Sequence, residues 1–128
     1  MSKNISQIEN FLSKLLTKWK VSNSVFIGKK PITVSASCKS FVYVDVNSVE
    51  DYDSHSSCSA SIYLYVRPKG RLQEKDLSEL DKMEGSLTEA INGNEDSGFI
   101  VYEQWRDSGY DTAINFFFDI VNVSITIT

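Results

Sequence analysis

The N-terminal segment repeats apolar side chains every three or four positions. The repeat runs through Ile5, Ile8, Phe11, Leu12, Leu15, Leu16 and Trp19, and Lys14, Lys18 and Lys20 lie largely off it. Such spacing places the apolar side chains on one face of an α-helix. We therefore predict an amphipathic helix of about four turns with one wide buried face.

A second stripe with helical spacing lies in the middle of the chain. It comprises Leu77, Leu80, Met83, Leu87 and Ile91, with charged residues on the opposite side. Asp76 with Glu79 three residues later is typical of a helix N-terminal cap. Asn92-Gly93-Asn94 favours the end of the helix.

Two segments between these helices alternate as β-strands do. Residues 41–46 and 60–67 each combine an aliphatic face with a face that carries tyrosines. Matching faces favour an antiparallel pair that shares one core side. The polar, serine-rich connection at 47–58 is longer than a tight hairpin needs, so we expect either a mobile loop or an extended hairpin tip. Upstream, Val25–Ile27 is predicted as a short strand, and residues 31–40 as an edge strand or a loop.

The last third of the chain again favours strands. We predict one strand over 99–105, a turn at Arg106-Asp107-Ser108-Gly109, and β-structure from Thr112 to Thr128. Within the last segment the apolar side chains lie at even-numbered positions up to Ile120 and at odd-numbered positions after it. Either a bulge re-aims the strand there, or its second half meets a different surface. Its alternating C-terminal end predicts an edge strand, of this chain's own sheet or one that pairs with another chain.

These elements predict a single α+β domain over residues 1–128. The order is α-β-β-β-α-β-β, with two helices packed on one face of a mainly antiparallel sheet. The 128 residues suit one domain, no apolar run is long enough to span a membrane, and the first residues lack a secretory pattern. We therefore expect an intracellular protein.

Charge divides the chain unevenly. Residues 1–44 carry seven lysines against Glu9 alone, whereas the remaining 84 residues carry six basic and 16 acidic side chains. This polarity suits electrostatic complementarity with a partner or another copy, although a helix with a lysine-rich solvated face also explains it. The net charge of −4 disfavours binding of nucleic acid through a broad basic surface.

Residue patterns for catalysis or cofactor binding are not found. The single histidine, His55, lies in a polar loop, which holds a catalytic group poorly. Glu50, Asp51 and Asp53 lack the pattern of an EF-hand, so solvated charge explains them better than a cation site. Cys38 and Cys58 provide too few soft ligands for zinc and are expected to be free thiols far apart. We therefore predict no enzymatic activity, no cofactor and no metal.

The aromatic residues of the strands have two interpretations. Packing of the sheet face under a helix is one, and a ligand pocket or interface is the other. The residues concerned are Tyr43, Tyr63, Tyr65, Tyr102 and Trp105.

The order of elements resembles the tail-terminator and tail-completion (head–tail joining) proteins of long-tailed bacteriophages. Those proteins are small α+β domains with an N-terminal helix, a strong β pair joined by a protruding loop, a helix against the sheet, and closing strands. The corresponding segments here are the helix at 5–19, FVYVDV at 41–46, SIYLYVRP at 61–68, the helix at 77–91 and the final INFFFDIVNVSITIT.

The resemblance implies a structural protein of the virion tail or neck that assembles in the cytoplasm of a bacterial host. It would form a ring, commonly hexameric, cap the tail tube protein and present a surface to the head-completion or connector protein. A ring needs two complementary patches. The expected contact joins Lys14, Lys18 and Lys20 to Glu79, Asp81, Glu84 and Glu89, while the loop with Glu50, Asp51 and Asp53 would meet the tube or the connector. Sequence-specific binding of nucleic acid is not expected.

Two other functions fit the residues. A small acidic protein-binding module of the immunity or inhibitor type would use the loop at 50–53 against a basic toxin. A domain that binds a small ligand would use the tyrosine-rich face of the sheet.

Overall fold

The computed structural model describes residues 5–47, 49–52 and 55–128. Within these residues, two helices and six strands follow one another. They are α1 (Ile5–Lys18), β1 (Val25–Ile27), β2 (Ser40–Val46), β3 (Glu50–Asp51), β4 (Ser56–Val66), α2 (Leu77–Asn92), β5 (Phe99–Asp111) and β6 (Phe116–Ile127). No helix in the described part of the chain is long and apolar enough to cross a bilayer.

All six strands join one sheet with the order β1-β2-β4-β6-β5, and β3 pairs with β4 beside that path. The β1–β2 pair is parallel and the other pairs are antiparallel. The predicted α+β fold and its α-β-β-β-α-β-β order are confirmed, with the two-residue β3 as a small addition inside the β2–β4 connection. Residues 31–39 lie upstream of β2 in the segment that was predicted as an edge strand or a loop, and they form no strand.

The main core lies between the two helices and one face of the sheet. Helix α1 buries five of the residues in its predicted stripe, and α2 buries Leu80, Met83, Leu87 and Ala90. They pack against the aliphatic faces of β2 and β4, which include Val42, Val44, Ile62 and Leu64. Each fully buried aliphatic side chain contributes roughly 1.5–3 kcal/mol, so the shared aliphatic face holds the helices on one side.

The α2 helix begins as its sequence predicts. The Asp76 side chain accepts a hydrogen bond from the backbone N–H of Glu79 at 3.2 Å. Gly93 ends the helix, and its N–H bonds the carbonyl oxygen of Glu89. The cap satisfies one of the donors that a helix start leaves without a partner.

A second, aromatic cluster lies on the opposite face of the sheet. Phe41 and Tyr65 stack with ring centroids 4.5 Å apart, and Phe116 packs beside them. Val34 and Cys38, from the segment before β2, lie against this cluster. The interpretation of Tyr43, Tyr63 and Tyr65 as packing under a helix is therefore wrong, because both helices cover the aliphatic face.

The predicted turn at 106–109 is also wrong. Strand β5 continues through it to Asp111, and the chain turns at 112–115, where Asn115 has a φ of 57°. Two local features allow turn-forming residues to stay in the strand. The Asp107 side chain accepts a hydrogen bond from the N–H of Ser108, and the ring of Phe118 lies over Gly109, where a Cβ atom would approach it to 2.5 Å.

The change of parity in β6 arises without a bulge in that strand, since its register with β4 is continuous from Phe117 to Ile127. Phe116 and Phe118 join the aromatic cluster, whereas Val121 and the alternate residues after it face the helices. The two halves of β6 therefore bury their side chains on opposite faces of the sheet, which is the second of the two predicted alternatives. The only shift of register in the β5–β6 pairing lies in β5, between Glu103 and Trp105.

The prediction that the C-terminal strand lies at an edge is wrong as well. Strand β6 lies between β4 and β5, so its backbone groups are paired on both sides. The outer strand on this side of the sheet is β5. A pattern along one segment cannot show this, because strand order is set by contacts between distant segments.

The β2–β4 connection is an extended hairpin tip, the second of the two predicted alternatives. Glu50 pairs with Ser57 and Asp51 with Ser56, and β4 begins at Ser56. Cys38 and Cys58 are both free, as expected, and Cys58 is buried. Burial raises the pKa of the Cys58 thiol to about 11, which makes it a poor nucleophile near neutral pH.

Candidate functional site

The basic residues of the first helix do not share one surface. Lys14 and Lys18 are exposed on α1 and border a cavity of about 330 Å³ between α1 and the α2–β5 connection. Phe11, Trp19 and Phe99 contribute its apolar side, and the Phe11 and Phe99 rings stack 4.1 Å apart. The Lys18 amine lies 4.0 Å from the Glu95 carboxylate, and both side chains are well exposed, so this pair contributes little to stability.

Lys20 lies beyond the end of α1 and has a φ of 54°. It borders a separate small cavity together with Glu79 and Lys82 of α2. A basic and an acidic residue that sequence analysis placed on opposite sides of a contact between copies are therefore close together within one chain.

The four acidic residues of α2 point in different directions. Glu79 accepts a hydrogen bond from the Ser40 hydroxyl at 3.2 Å. Glu84 is half-buried and lies 3.7 Å from Arg106 of β5, whereas Asp81 and Glu89 are exposed. A helix turns by about 100° per residue, so residues at 79, 81, 84 and 89 do not form one stripe. Asp81 and Glu89 are the two that are free to meet a partner's charge.

Glu84 belongs to a charged network between α2, β5 and β6. The Asp119 carboxylate accepts hydrogen bonds from Lys75 Nζ at 3.1 Å and from Ser108 Oγ at 2.7 Å. Burial, together with the neighbouring Asp119, raises the pKa of Glu84 to about 7. Burial also acts on Asp119, but the bonds from Ser108, Glu84 and Lys75 keep its pKa below its ordinary value. The network holds α2 to the outer part of the sheet.

A half-buried ion pair joins the two halves of the chain on the aromatic face. Lys30 Nζ donates to Asp111 Oδ2 at 2.6 Å, and the Tyr65 hydroxyl donates to the same oxygen at 3.2 Å. Although burial opposes it, the bond from Lys30 keeps the pKa of Asp111 below its ordinary value. Part of the charge difference between the two halves is therefore neutralised inside the chain.

The acidic residues of the hairpin tip are exposed. The Tyr52 hydroxyl donates to Glu50 Oε2 at 2.8 Å, and the Ser56 hydroxyl donates to Asp51. The rings of Tyr52 and His55 stack 5.0 Å apart. Asp53, the third predicted residue of this group, lies outside the described residues. Glu50 and Asp51 thus lie on the short β3 beside β4, level with the C-terminal end of β6.

Two further surfaces are exposed, and both carry aromatic residues for which sequence analysis left a ligand pocket or an interface open. One is the open part of the sheet face that no helix covers, with Tyr43, Tyr63 and Phe118 around the aromatic cluster. The other is β5, where Ile100, Tyr102 and Trp105 are each about half exposed. The alternation in β5 was visible in the sequence, but the predicted turn divided the strand and concealed its length.

Over the described ranges 5–47, 49–52 and 55–128, no three His, Cys, Asp or Glu side chains are grouped as metal ligands would be.

A comparison with models of known protein families finds no match for this chain, and a comparison with curated protein sequences finds none either. The functional argument therefore depends on the geometry of these surfaces.

Proposed function

We propose that this chain is a structural assembly protein that caps the tail tube of a long-tailed phage and joins it to the head or neck connector. The observation that supports this most is the one-sided fold. Both helices lie on one face of the sheet, and the short β3 in the β2–β4 connection carries exposed acidic residues beside β4. A layered domain with an acidic segment at the end of its sheet offers separate surfaces for a neighbouring copy and for the tube.

The ring contact uses the charges that remain available within one chain. Lys14 and Lys18 on α1 are exposed, and so are Asp81 and Glu89 on α2. Because a ring is built from two different complementary patches, these two pairs are the proposed contact between neighbouring copies. Glu79 and Glu84 contribute to the fold of the chain itself through Ser40 and Arg106.

The hairpin tip is the proposed contact with the tube or the connector. Co-purification of the tail tube protein of the same phage tests this, with Glu50→Gln/Asp51→Asn as the variant. Loss of the two exposed charges is expected to weaken capture of the tube protein, and Asp45→Asn/Glu74→Gln, which removes two exposed charges elsewhere, is the matched control. Equal capture by both double variants would contradict the role of the tip.

The gene neighbourhood separates this function from the alternative. The exposed acidic tip also favours a binding module that covers a basic toxin. Adjacent genes for a portal and a tail tube are expected for the proposed function. A toxin gene without tail genes beside it would favour the alternative instead.

A further inference from the structure

Strand β5 has a neighbouring strand on one side only. It forms the outer edge of the sheet and is 13 residues long. Its residues from Tyr102 to Ser108 are all exposed, and it contains neither proline nor lysine, two residues that commonly protect edges. An edge of this length is a template for another strand.

The residues that present their backbone groups outward can be identified. The carbonyl oxygen of Phe99 accepts from the Asn94 side chain, and its N–H bonds Asp96, so Phe99 does not turn these groups toward β6. The backbone groups of an antiparallel strand alternate in direction from one residue to the next. Val101 and Glu103 therefore also point outward.

The bulge between Glu103 and Trp105 shifts this alternation by one residue, so Arg106 and Ser108 point outward beyond it. The hydrogen bond from the Ser108 N–H to Asp107 agrees with this, since that N–H is not directed to β6. The residues whose backbone groups point outward are therefore arranged symmetrically about a point between Gln104 and Trp105. They are Val101 and Glu103 before that point, and Arg106 and Ser108 after it.

This symmetry makes the edge complementary to itself. In an antiparallel pair centred at that point, Glu103 lies opposite Arg106 of a second copy, and Arg106 lies opposite Glu103 of that copy. Val101 lies opposite Ser108, and both pairs consist of outward-facing residues. On the other face, Tyr102 lies opposite Asp107. Opposite charges on directly facing residues stabilise a strand pair, whereas like charges destabilise it.

Other registers lose this match. A shift by one residue places outward-facing residues opposite inward-facing ones, and a shift by two places Glu103 opposite Ser108. Within the single chain Arg106 already binds Glu103 and lies 3.7 Å from Glu84, so pairing would join the Glu103–Arg106 pairs of the two copies into one cluster of alternating charges. The Ser108 N–H would exchange the Asp107 carboxylate for a carbonyl oxygen of the second copy.

We propose that β5 pairs antiparallel with β5 of a second copy of this chain, across a two-fold axis between Gln104 and Trp105, and that Glu103 and Arg106 set the register. The pairing continues the sheet through both copies. It uses neither the residues of the proposed ring contact nor the hairpin tip, so it goes beyond the proposed function and does not depend on it.

Charge reversal with mixing tests the pairing. Glu103→Lys places lysine opposite Arg106 twice in the dimer, and Arg106→Glu places glutamate opposite Glu103 twice, so each variant alone is expected to dimerise about tenfold more weakly. In an equimolar mixture both facing pairs become complementary, and sedimentation velocity should show the dimer again. Two folded variants that stay monomeric when mixed, or a native chain that stays monomeric throughout, would overturn the proposal.

Disulfide trapping tests the register in a chain whose charges at 103 and 106 are native. In a Cys38→Ser background, the Tyr102→Cys/Asp107→Cys double variant places each new thiol opposite its partner in the second copy, whereas within one strand the two are too far apart to bond. Oxidation is expected to give a covalent dimer. Ile100→Cys/Asp107→Cys, shifted by two residues, is the control, and equal cross-linking of both variants would refute the register.

Discussion

Gly109 shows how one residue without a side chain allows β5 to pass over the aromatic face. A Cβ atom there would lie 2.5–2.9 Å from three ring atoms of Phe118, which belongs to the aromatic cluster. The ring and the strand can therefore pack closely only if position 109 has no side chain. This contact also explains why a residue typical of turns lies inside a strand.

Replacement of Gly109 by alanine is expected to lower the free energy of unfolding by about 1–3 kcal/mol, because the added methyl group overlaps the Phe118 ring. Gly85 is the matched control, since it lies on exposed helix and a Cβ there meets nothing within 4 Å. Gly85→Ala is expected to stabilise by about 0.5–1 kcal/mol. Urea denaturation measures both, and equal effects would contradict the packing at Gly109.

Glu84 gives the chain a specific dependence of stability on pH. Its pKa is about 7 in the folded chain against an ordinary value of 4.5, so the folded state holds the proton more tightly than the unfolded state. This stabilisation is complete below the unfolded pKa and is lost as the pH rises through the folded pKa. The pKa of Asp119 is shifted the opposite way, below its ordinary value of 3.8. Asp119 is therefore protonated only at a pH below the range in which Glu84 changes the stability.

Glu84→Gln keeps a neutral hydrogen-bonding group beside Asp119. The variant is therefore expected to match the native chain in stability near pH 5 and to exceed it near pH 8, by about 2–3 kcal/mol. Thermal melts across this range measure the difference. Glu89→Gln, at an exposed position of the same helix, should keep the native pH profile, and an unchanged profile in Glu84→Gln would contradict the network.

At the scale of elements, α2 depends on its cap at Asp76. The carboxylate bonds the Glu79 N–H and lies 3.5 Å from Lys69 Nζ. Asp76→Ala is expected to lower the free energy of unfolding by about 1 kcal/mol. Asp81→Ala, at an exposed position of the same helix, is expected to change it by less than about 0.5 kcal/mol. Comparable losses in the two variants would exclude the cap as the cause.

Both helices and the β2–β4 pair were predictable because each buries one side of a regular repeat. The stripe from Ile8 to Leu16 and the alternation from Val42 to Val44 identify their faces directly. The extent of β5 was not predictable, since Asp107 and Gly109 are typical of turns and only the contact with Phe118 and the bond to Ser108 explain them. The central position of β6 was hidden for a different reason, as it depends on pairing with β4 and β5.

The candidate surfaces were partly predictable at the same scale. Glu50 and Asp51 lie at the exposed tip as their polar segment indicated. The residues expected to form one basic and one acidic patch are divided, since Lys20 and Glu79 share a cavity and Glu84 lies against Arg106. A sequence lists charges, but the three-dimensional fold determines which of them remain available.

In the whole molecule, ion pairs within the chain neutralise part of the charge difference between its two halves. Lys30 binds Asp111 within the chain. The exposed charges of Lys14, Lys18, Asp81 and Glu89 remain available for the proposed ring contact. Ion pairs between exposed groups weaken with salt. Association through this contact should therefore be strongest at low ionic strength.

Lys14→Glu tests the ring contact against a control of equal net charge. This variant is expected to form less of the higher oligomer at low salt, as seen by native mass spectrometry, because it places a carboxylate opposite Asp81 or Glu89. Lys29→Glu reverses an exposed lysine outside the proposed contact and should assemble as the native chain does. Equal loss in both variants would indicate an effect of net charge alone.

The most direct measurement of the central claim is electron microscopy of tail tubes that polymerise from the tube protein of the same phage in the presence of this chain. The proposed function predicts short tubes with a ring of added density at one end, and longer uncapped tubes when the chain is left out. Tubes of unchanged length with bare ends at saturating concentrations of the chain would contradict it.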